Sequence, residues 1–255
     1  VSAKRLEPLE APAIAPVDPA EGVSKVLVVT AHPDDVDFGA GGTVAAMTTA
    51  GVEVVYCLVT DGDAGGSDPA TTPDQRAQIR RIEQQAAAEV LGVEEIHFLG
   101  HLDGSVTYTM GLRRDLARVI RLVRPDRVIC QSPERNLDRI YASHPDHLAA
   151  GEAALAAVYP DARNAFAFPE LLDSEGLEPH VVPEVWLMAS TEANVVVDTT
   201  EVIDRKIEAL RCHASQVGDG ASLAERIGEW GRTTAKAAGL GKKRTAEAFR
   251  TVDTR

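Results

Sequence analysis

Between Lys25 and Val158, short β-branched runs alternate with longer stretches of helical pattern. Lys25–Thr30 (KVLVVT) is almost wholly apolar and ends at a polar turn, the mark of a strand buried inside a parallel sheet. Val52–Thr60 (VEVVYCLVT), Glu95–Leu99 and Arg127–Gln131 repeat the pattern. The stretches between them predict helices at Thr43–Ala50, stopped by Gly51; at Asp74–Leu91, stopped by Gly92; at Gly111–Val123, ended by Pro125; and from Pro145 to about Val158. Strands joined by helices imply right-handed crossovers. The predicted fold class is therefore α/β, a Rossmann-like, mostly parallel sheet with helices on both faces. The later chain is less regular. Val185–Ala189 and Val195–Val197 read as strands, Val202–Arg211 and Ser222–Ala237 as helices, and 239–255 as a polar, peripheral tail. Residues 1–22, rich in Pro, Ala and Glu, read as an extended arm without a signal-peptide core. With no repeat or linker to divide the rest, 23–255 reads as a single domain.

Composition narrows the function. Hydrophobic residues make up 44% and charged residues 25%, enough for a packed core. A net charge of -13 argues against nucleic acid, whose phosphates need clustered Lys and Arg. Cys57, Cys130 and Cys212 contain no C-x-x-C pair, so neither a disulfide framework nor a thiolate zinc site is expected, and a reducing cytoplasm fits. No stretch resembles a membrane span. Oligomeric state, including a homo-oligomer, is left open.

In an open parallel sheet, ligands bind beyond the carboxyl ends of the strands. Polar clusters follow each predicted strand: Ala31-His32-Pro33-Asp34-Asp35, then Asp61-Gly62-Asp63, then Gly100-His101-Leu102-Asp103-Gly104, and, after the fourth strand, Ser143-His144-Pro145-Asp146-His147. Pro33 stiffens the first turn, so His32 and Asp35 can face one point. His144 and His147, three apart at a helix start with Pro145 in its first turn, share a face. A catalytic zinc takes three ligands from His, Asp or Glu and keeps one position open. Taken singly, each cluster reads equally well as a turn or helix cap. Together at neighbouring strand ends they favour a metal. Gly39-x-Gly41-Gly42 is weak evidence for a dinucleotide, because G-x-G-x-x-G is absent and Asp34, Asp35 and Asp37 would repel a pyrophosphate.

Ala31–Thr43, with its A-H-P-D-D and x-D-x-G-x-G-G-T, resembles the first signature of the PIG-L/LmbE-like deacetylases, and H-P-D-H at 144–147 resembles the second. Arg80-Arg81-Ile82-Glu83, Leu99-Gly100-x-x-Asp103-Gly104 and His213-Ala214-Ser215-Gln216 are further matches in the same order. That resemblance implies a zinc hydrolase that removes acetyl from an N-acetylglucosamine-type sugar. It implies one Zn²⁺ held by His32, Asp35 and His147, although Fe²⁺ suits the same donors. It further implies Asp34 as general base, His144 as the group assisting the oxyanion or the leaving amine, and Asp146 as the residue that orients His144. Arg80 and Asp103 are the candidates for binding sugar hydroxyls, with Tyr141 the nearest match to a tyrosine that some members place before the second motif. For Arg80 and Arg81 the competing reading is a solvated helix face or an ion pair with Glu83. Val36 stands where many members carry Glu, so Asp37 is expected to be structural and not a ligand. His101 reads as a loop residue, His213 as structural and Trp186 as core, while His97 and His180 have no evident partner. The alternatives are an amidase for a thiol-conjugate or antibiotic amide, a non-enzymatic nucleotide- or sugar-binding module, and a nicotinamide-dependent oxidoreductase.

Overall fold

The computed structural model describes residues 14–66, 68–218 and 222–255. The first 13 residues of the expected arm lie outside that range. One eight-stranded sheet organises the described chain. Its strands are β1 (Ala15–Pro16), β2 (Lys25–Thr30), β3 (Glu53–Thr60), β4 (Glu95–His101), β5 (Arg127–Gln131), β6 (Glu184–Met188), β7 (Val195–Asp198) and β8 (Ala246–Asp253), in the order β1-β7-β8-β6-β5-β2-β3-β4. All pairings are parallel except those of β8, which runs antiparallel to both β6 and β7.

The central strands read as apolar runs because helices cover both faces of the sheet. On one side Leu27, Val29, Cys57, Val128 and Cys130 pack against α3 (Met110–Val123) and α4 (Pro145–Ala156). On the other, Val26, Val28, Tyr56, Ile129 and Trp186 pack against α1 (Asp35–Thr49) and α2 (Pro73–Leu91). A short α5 (Pro169–Asp173) follows, then α6 (Ile203–Cys212), α7 (Ala214–Val217) and α8 (Leu223–Ala237). α2 has sharp ends: Thr72 and Gln75 form a reciprocal capping box around Pro73, and Gly92 closes the helix at φ 78°.

Two expectations are corrected. The first helix begins at Asp35, not Thr43, and so takes in Gly39, Gly41 and Gly42. Those glycines serve close packing. A Cβ on Gly39 would sit 2.8 Å from Met188 Sδ, and one on Gly42 would sit 2.6 Å from Thr199 Cγ2. The supposed peripheral tail instead supplies β8, a strand inside the sheet. Its buried Glu247 accepts from the backbone N–H groups of Gly42 and Thr43 at 2.9 and 2.7 Å. Lys206 from α6 donates to Glu247 at 2.5 Å and to the Phe38 carbonyl at 2.7 Å. A buried ion pair is thus threaded into the backbone ladder of α1.

α4 approaches the sheet as closely. A Cβ on Gly151 would fall 2.3 Å from the Gln131 carbonyl oxygen, which is backbone and cannot swing aside. Gly151→Ala is therefore expected to destabilise by about 1–3 kcal/mol, outweighing the ~1 kcal/mol that alanine adds in a helix. A denaturant melt checks this; an unchanged or raised midpoint refutes the contact.

Candidate metal centre

The carboxyl ends of β2, β3, β4 and β5 bring the sequence clusters to one place. The Ala31 N–H donates to Gln131 Oε1 at 3.0 Å, and the Thr60 N–H to the Ala31 carbonyl at 2.9 Å, which fixes the first cluster to the strands on either side. The His32 N–H donates to Asp35 Oδ2 at 2.8 Å, closing the turn around Pro33. His147, in the first turn of α4, then meets this turn across the site.

Donor atoms of three residues converge, with Asp35 turning one oxygen to each imidazole. His32 Nδ1 lies 3.3 Å from His147 Nε2 and 3.3 Å from Asp35 Oδ2, and His147 Nε2 lies 3.0 Å from Asp35 Oδ1. A ring nitrogen of His144 lies within 4.8 Å of one on each of the other two histidines. His144 itself is at the surface. Its Nδ1 accepts from the Asp146 N–H at 3.2 Å, which leaves the ring proton of the neutral form on Nε2.

The far side of His32 is held by acids. Its Nε2 lies 3.0 Å from Asp103 Oδ1 and 3.2 Å from Asp146 Oδ2. Donation there leaves the Nδ1 lone pair for a ligand on the opposite edge, the usual arrangement behind a metal-bound histidine. Asp146 is fully buried and also accepts from Gly104 N at 2.7 Å and Val106 N at 3.2 Å, so it ties the loop after β4 to α4. Its carboxylate faces His32, and its link to His144 runs through the backbone N–H. Asp103 also accepts from Ala64 N at 3.1 Å.

Arg80 is buried behind the first turn. It donates to the Pro33 carbonyl at 2.6 Å, to Asp34 Oδ2 at 3.1 Å and to the Gly62 carbonyl at 3.2 Å. Arg81 pairs with Asp61 at 2.7 Å, and Glu83 accepts from Ser215. Tyr141 is 69% exposed, and its hydroxyl accepts from Arg139 at 2.8 Å. That guanidinium also lies over Trp230 of α8, 5.2 Å from the ring centroid. His101 pairs with Asp115, His97 with Glu95 and His180 with the Pro125 carbonyl, while Trp186 is in the core.

The electrostatics favour a cation. Burial disfavours a charged His32 ring, but the Asp103 and Asp35 carboxylates more than offset this and hold it up at about 11, so a metal ion arriving at Nδ1 takes the place of a proton. Burial also raises the Asp35 carboxyl, yet His147 and His32 hold it well below the usual range. Asp34 goes the other way. Burial, with the neighbouring Asp35 charge, lifts it to about 7 against the opposing pull of Arg80 and His213.

A mostly parallel sheet with imidazoles and carboxylates gathered at its strand ends puts a candidate metal site where such sheets bind their ligands. Residues 27–158 match the sequence model of PIG-L, described as GlcNAc-PI de-N-acetylase. The chain belongs to the PIG-L family. The diacetylchitobiose deacetylase of Thermococcus kodakarensis is 36% identical over 199 residues, covering 78% of this chain and 72% of that protein. A probable N-acetyl-alpha-D-glucosaminyl L-malate deacetylase 2 of Bacillus anthracis is 33% identical over 219 residues, with 82% and 88% covered. The structure of N,N'-diacetylchitobiose deacetylase from Pyrococcus horikoshii, in complex with its inhibitor MPG, superposes with a TM-score of 0.84 at 30% identity, covering 93% of this chain and 86% of that one. Among the described residues, no helix is long and apolar enough to cross a membrane.

Proposed function

We propose that this protein is a zinc-dependent hydrolase that removes the acetyl group from an N-acetylglucosamine-type sugar, with His32, Asp35 and His147 as the zinc ligands. The observation that carries this reading is the convergence of His32 Nδ1 and His147 Nε2, 3.3 Å apart, on the Asp35 carboxylate, whose Oδ2 and Oδ1 lie 3.3 and 3.0 Å from them respectively. Tetrahedral zinc with bonds of about 2.0–2.1 Å requires donors about 3.3 Å apart. One carboxylate and two imidazoles also match the composition of catalytic zinc sites. The deacetylase relatives of T. kodakarensis and B. anthracis support the choice of an acetylated amino sugar.

Zinc bound there supplies a Lewis acid for the acetyl carbonyl and makes water acidic enough to attack near neutral pH. The rest falls to the protein. Asp34 follows directly on the turn that carries His32, and Arg80 engages only its Oδ2, so Oδ1 remains to take a proton from the attacking water. Burial and Asp35 raise this carboxyl and a bound cation pulls it back down, so it is ionised and able to accept a proton near neutral pH. His144 presents its Nε2–H to the oxygen that becomes negative, and the proton taken up by Asp34 passes on to the departing amine. Asp103 and Asp146 hold the His32 ring in the tautomer that leaves Nδ1 facing the ion.

An acetate-release assay tests the reading with N-acetylglucosamine, N,N'-diacetylchitobiose and an inositol-linked N-acetylglucosamine. Acetate is expected from at least one of them, lost on exhaustive chelation and restored by added Zn²⁺. Full turnover by chelated protein shown to contain no metal sinks the proposal.

A further inference from the structure

Asp34 occupies the left-handed region at φ 84° and ψ -27°. A residue with a Cβ stays there only when its surroundings over-determine it. Two side chains of α2 surround this peptide. Arg80 holds the preceding carbonyl, that of Pro33, and one oxygen of the Asp34 carboxylate. One turn further along, Gln84 accepts from the Asp34 N–H at 2.8 Å.

Gln84 is fully buried, and both ends of its amide are engaged. Its Nε2 donates to Asp37 Oδ2 at 3.0 Å. Asp37 is fully buried as well, and His213 Nε2 approaches the same Oδ2 at 2.8 Å. A carboxylate anion accepts and cannot donate. Asp37 therefore dictates which way the Gln84 amide points. With its NH₂ toward Asp37, its carbonyl must face the Asp34 N–H; reversed, it would set acceptor against acceptor at Asp37 and donor against donor at Asp34. His213, brought in by the short segment between α6 and α7, completes the arrangement from the other side.

We infer that Gln84, oriented by Asp37 and His213, is a positioning residue that holds the Asp34 peptide in its left-handed turn and so aims the Asp34 carboxylate at the attacking water. The inference rests on Asp34 being the base. It gives the buried Asp37–His213 pair a part in the reaction, exerted through a neutral amide.

A double-mutant cycle in the zinc-loaded protein tests it, using Gln84→Met and Asp34→Gly. Methionine keeps the length of glutamine without its polar atoms. Glycine accepts the left-handed conformation and lacks the carboxylate. In the wild-type background, Gln84→Met is expected to lower kcat by about 10–100-fold through misplacement of the base, with KM and zinc content near wild type. In the Asp34→Gly background the same change is expected to alter the residual kcat by less than about twofold, because the peptide it holds no longer carries the carboxylate it aims. Equal losses in both backgrounds would mean a general structural role and overturn the inference, as would an unchanged kcat for Gln84→Met alone. Wild-type turnover by Asp34→Gly alone would instead remove Asp34 as the base, a separate and recognisable failure. If Gln84→Met does not fold, Gln84→Glu sets two carboxylates face to face and is expected to lose turnover. Adding Asp37→Asn supplies the missing donor and is expected to recover it; no recovery overturns the inference.

Discussion

The His147→Ala protein is expected to purify folded but with far less than the roughly one zinc per chain that a three-ligand site retains. The His147 Nε2 lies 3.3 Å from His32 Nδ1 and 3.0 Å from Asp35 Oδ1. Removing it leaves His32 and Asp35, too few ligands for firm binding. His147 lies in the first turn of α4 and its ring is partly exposed, so truncation to alanine disturbs little packing. Elemental analysis alongside a thermal melt makes the measurement. A near-native melt with stoichiometric zinc would exclude His147 as a ligand.

Asp34→Asn is expected to do the opposite, keeping the metal while turnover falls by about 10²–10⁴-fold, the usual worth of a positioned base. Asparagine preserves shape and tolerates the left-handed conformation better than most residues, so the loss reports chemistry more than folding. The pH profile adds a signed expectation. A base works unprotonated, so wild-type activity should fall as pH drops through the carboxyl's pKa. Burial and Asp35 put that value at about 7; a bound cation lowers it, which places the acid limb at or below about 7. The residual activity of Asp34→Asn should lack that limb. Near-normal kcat in this variant would leave Asp34 without its role.

The parts of this molecule legible in its sequence are those set by local pattern. β2, β3 and β5 announce themselves because both faces are buried, so nearly every position is apolar. The two His/Asp clusters are visible because each is compact and follows a strand. What escaped depends on partners distant along the chain. Asp146 stands two residues from His144 and was expected to serve it, yet its carboxylate turns inward to His32, Gly104 and Val106. Arg80 and Asp103 read as groups for a sugar, but Arg80 is buried against Asp34 and Asp103 lies against His32. Gln84 carries no motif of its own. Its position is explained only by Asp34, Asp37 and His213 surrounding it. The pattern starts α1 at Thr43 because Gly39, Gly41 and Gly42 depress helix propensity, whereas crowding by Met188 requires the first and crowding by Thr199 the last of them.

β8 shows the same limit, and it carries a consequence for biosynthesis. Ala246–Asp253 is wedged between β6 and β7, and Glu247 reaches from it to the backbone of the helix that begins with Asp35. A ribosome emits that segment after every proposed ligand and the proposed base have already emerged. A nascent chain lacking it leaves β6 and β7 without their shared neighbour and the α1 amides of Gly42 and Thr43 without Glu247. The turn of the proposed site is therefore expected to be fully braced only once β8 has paired with β6 and β7.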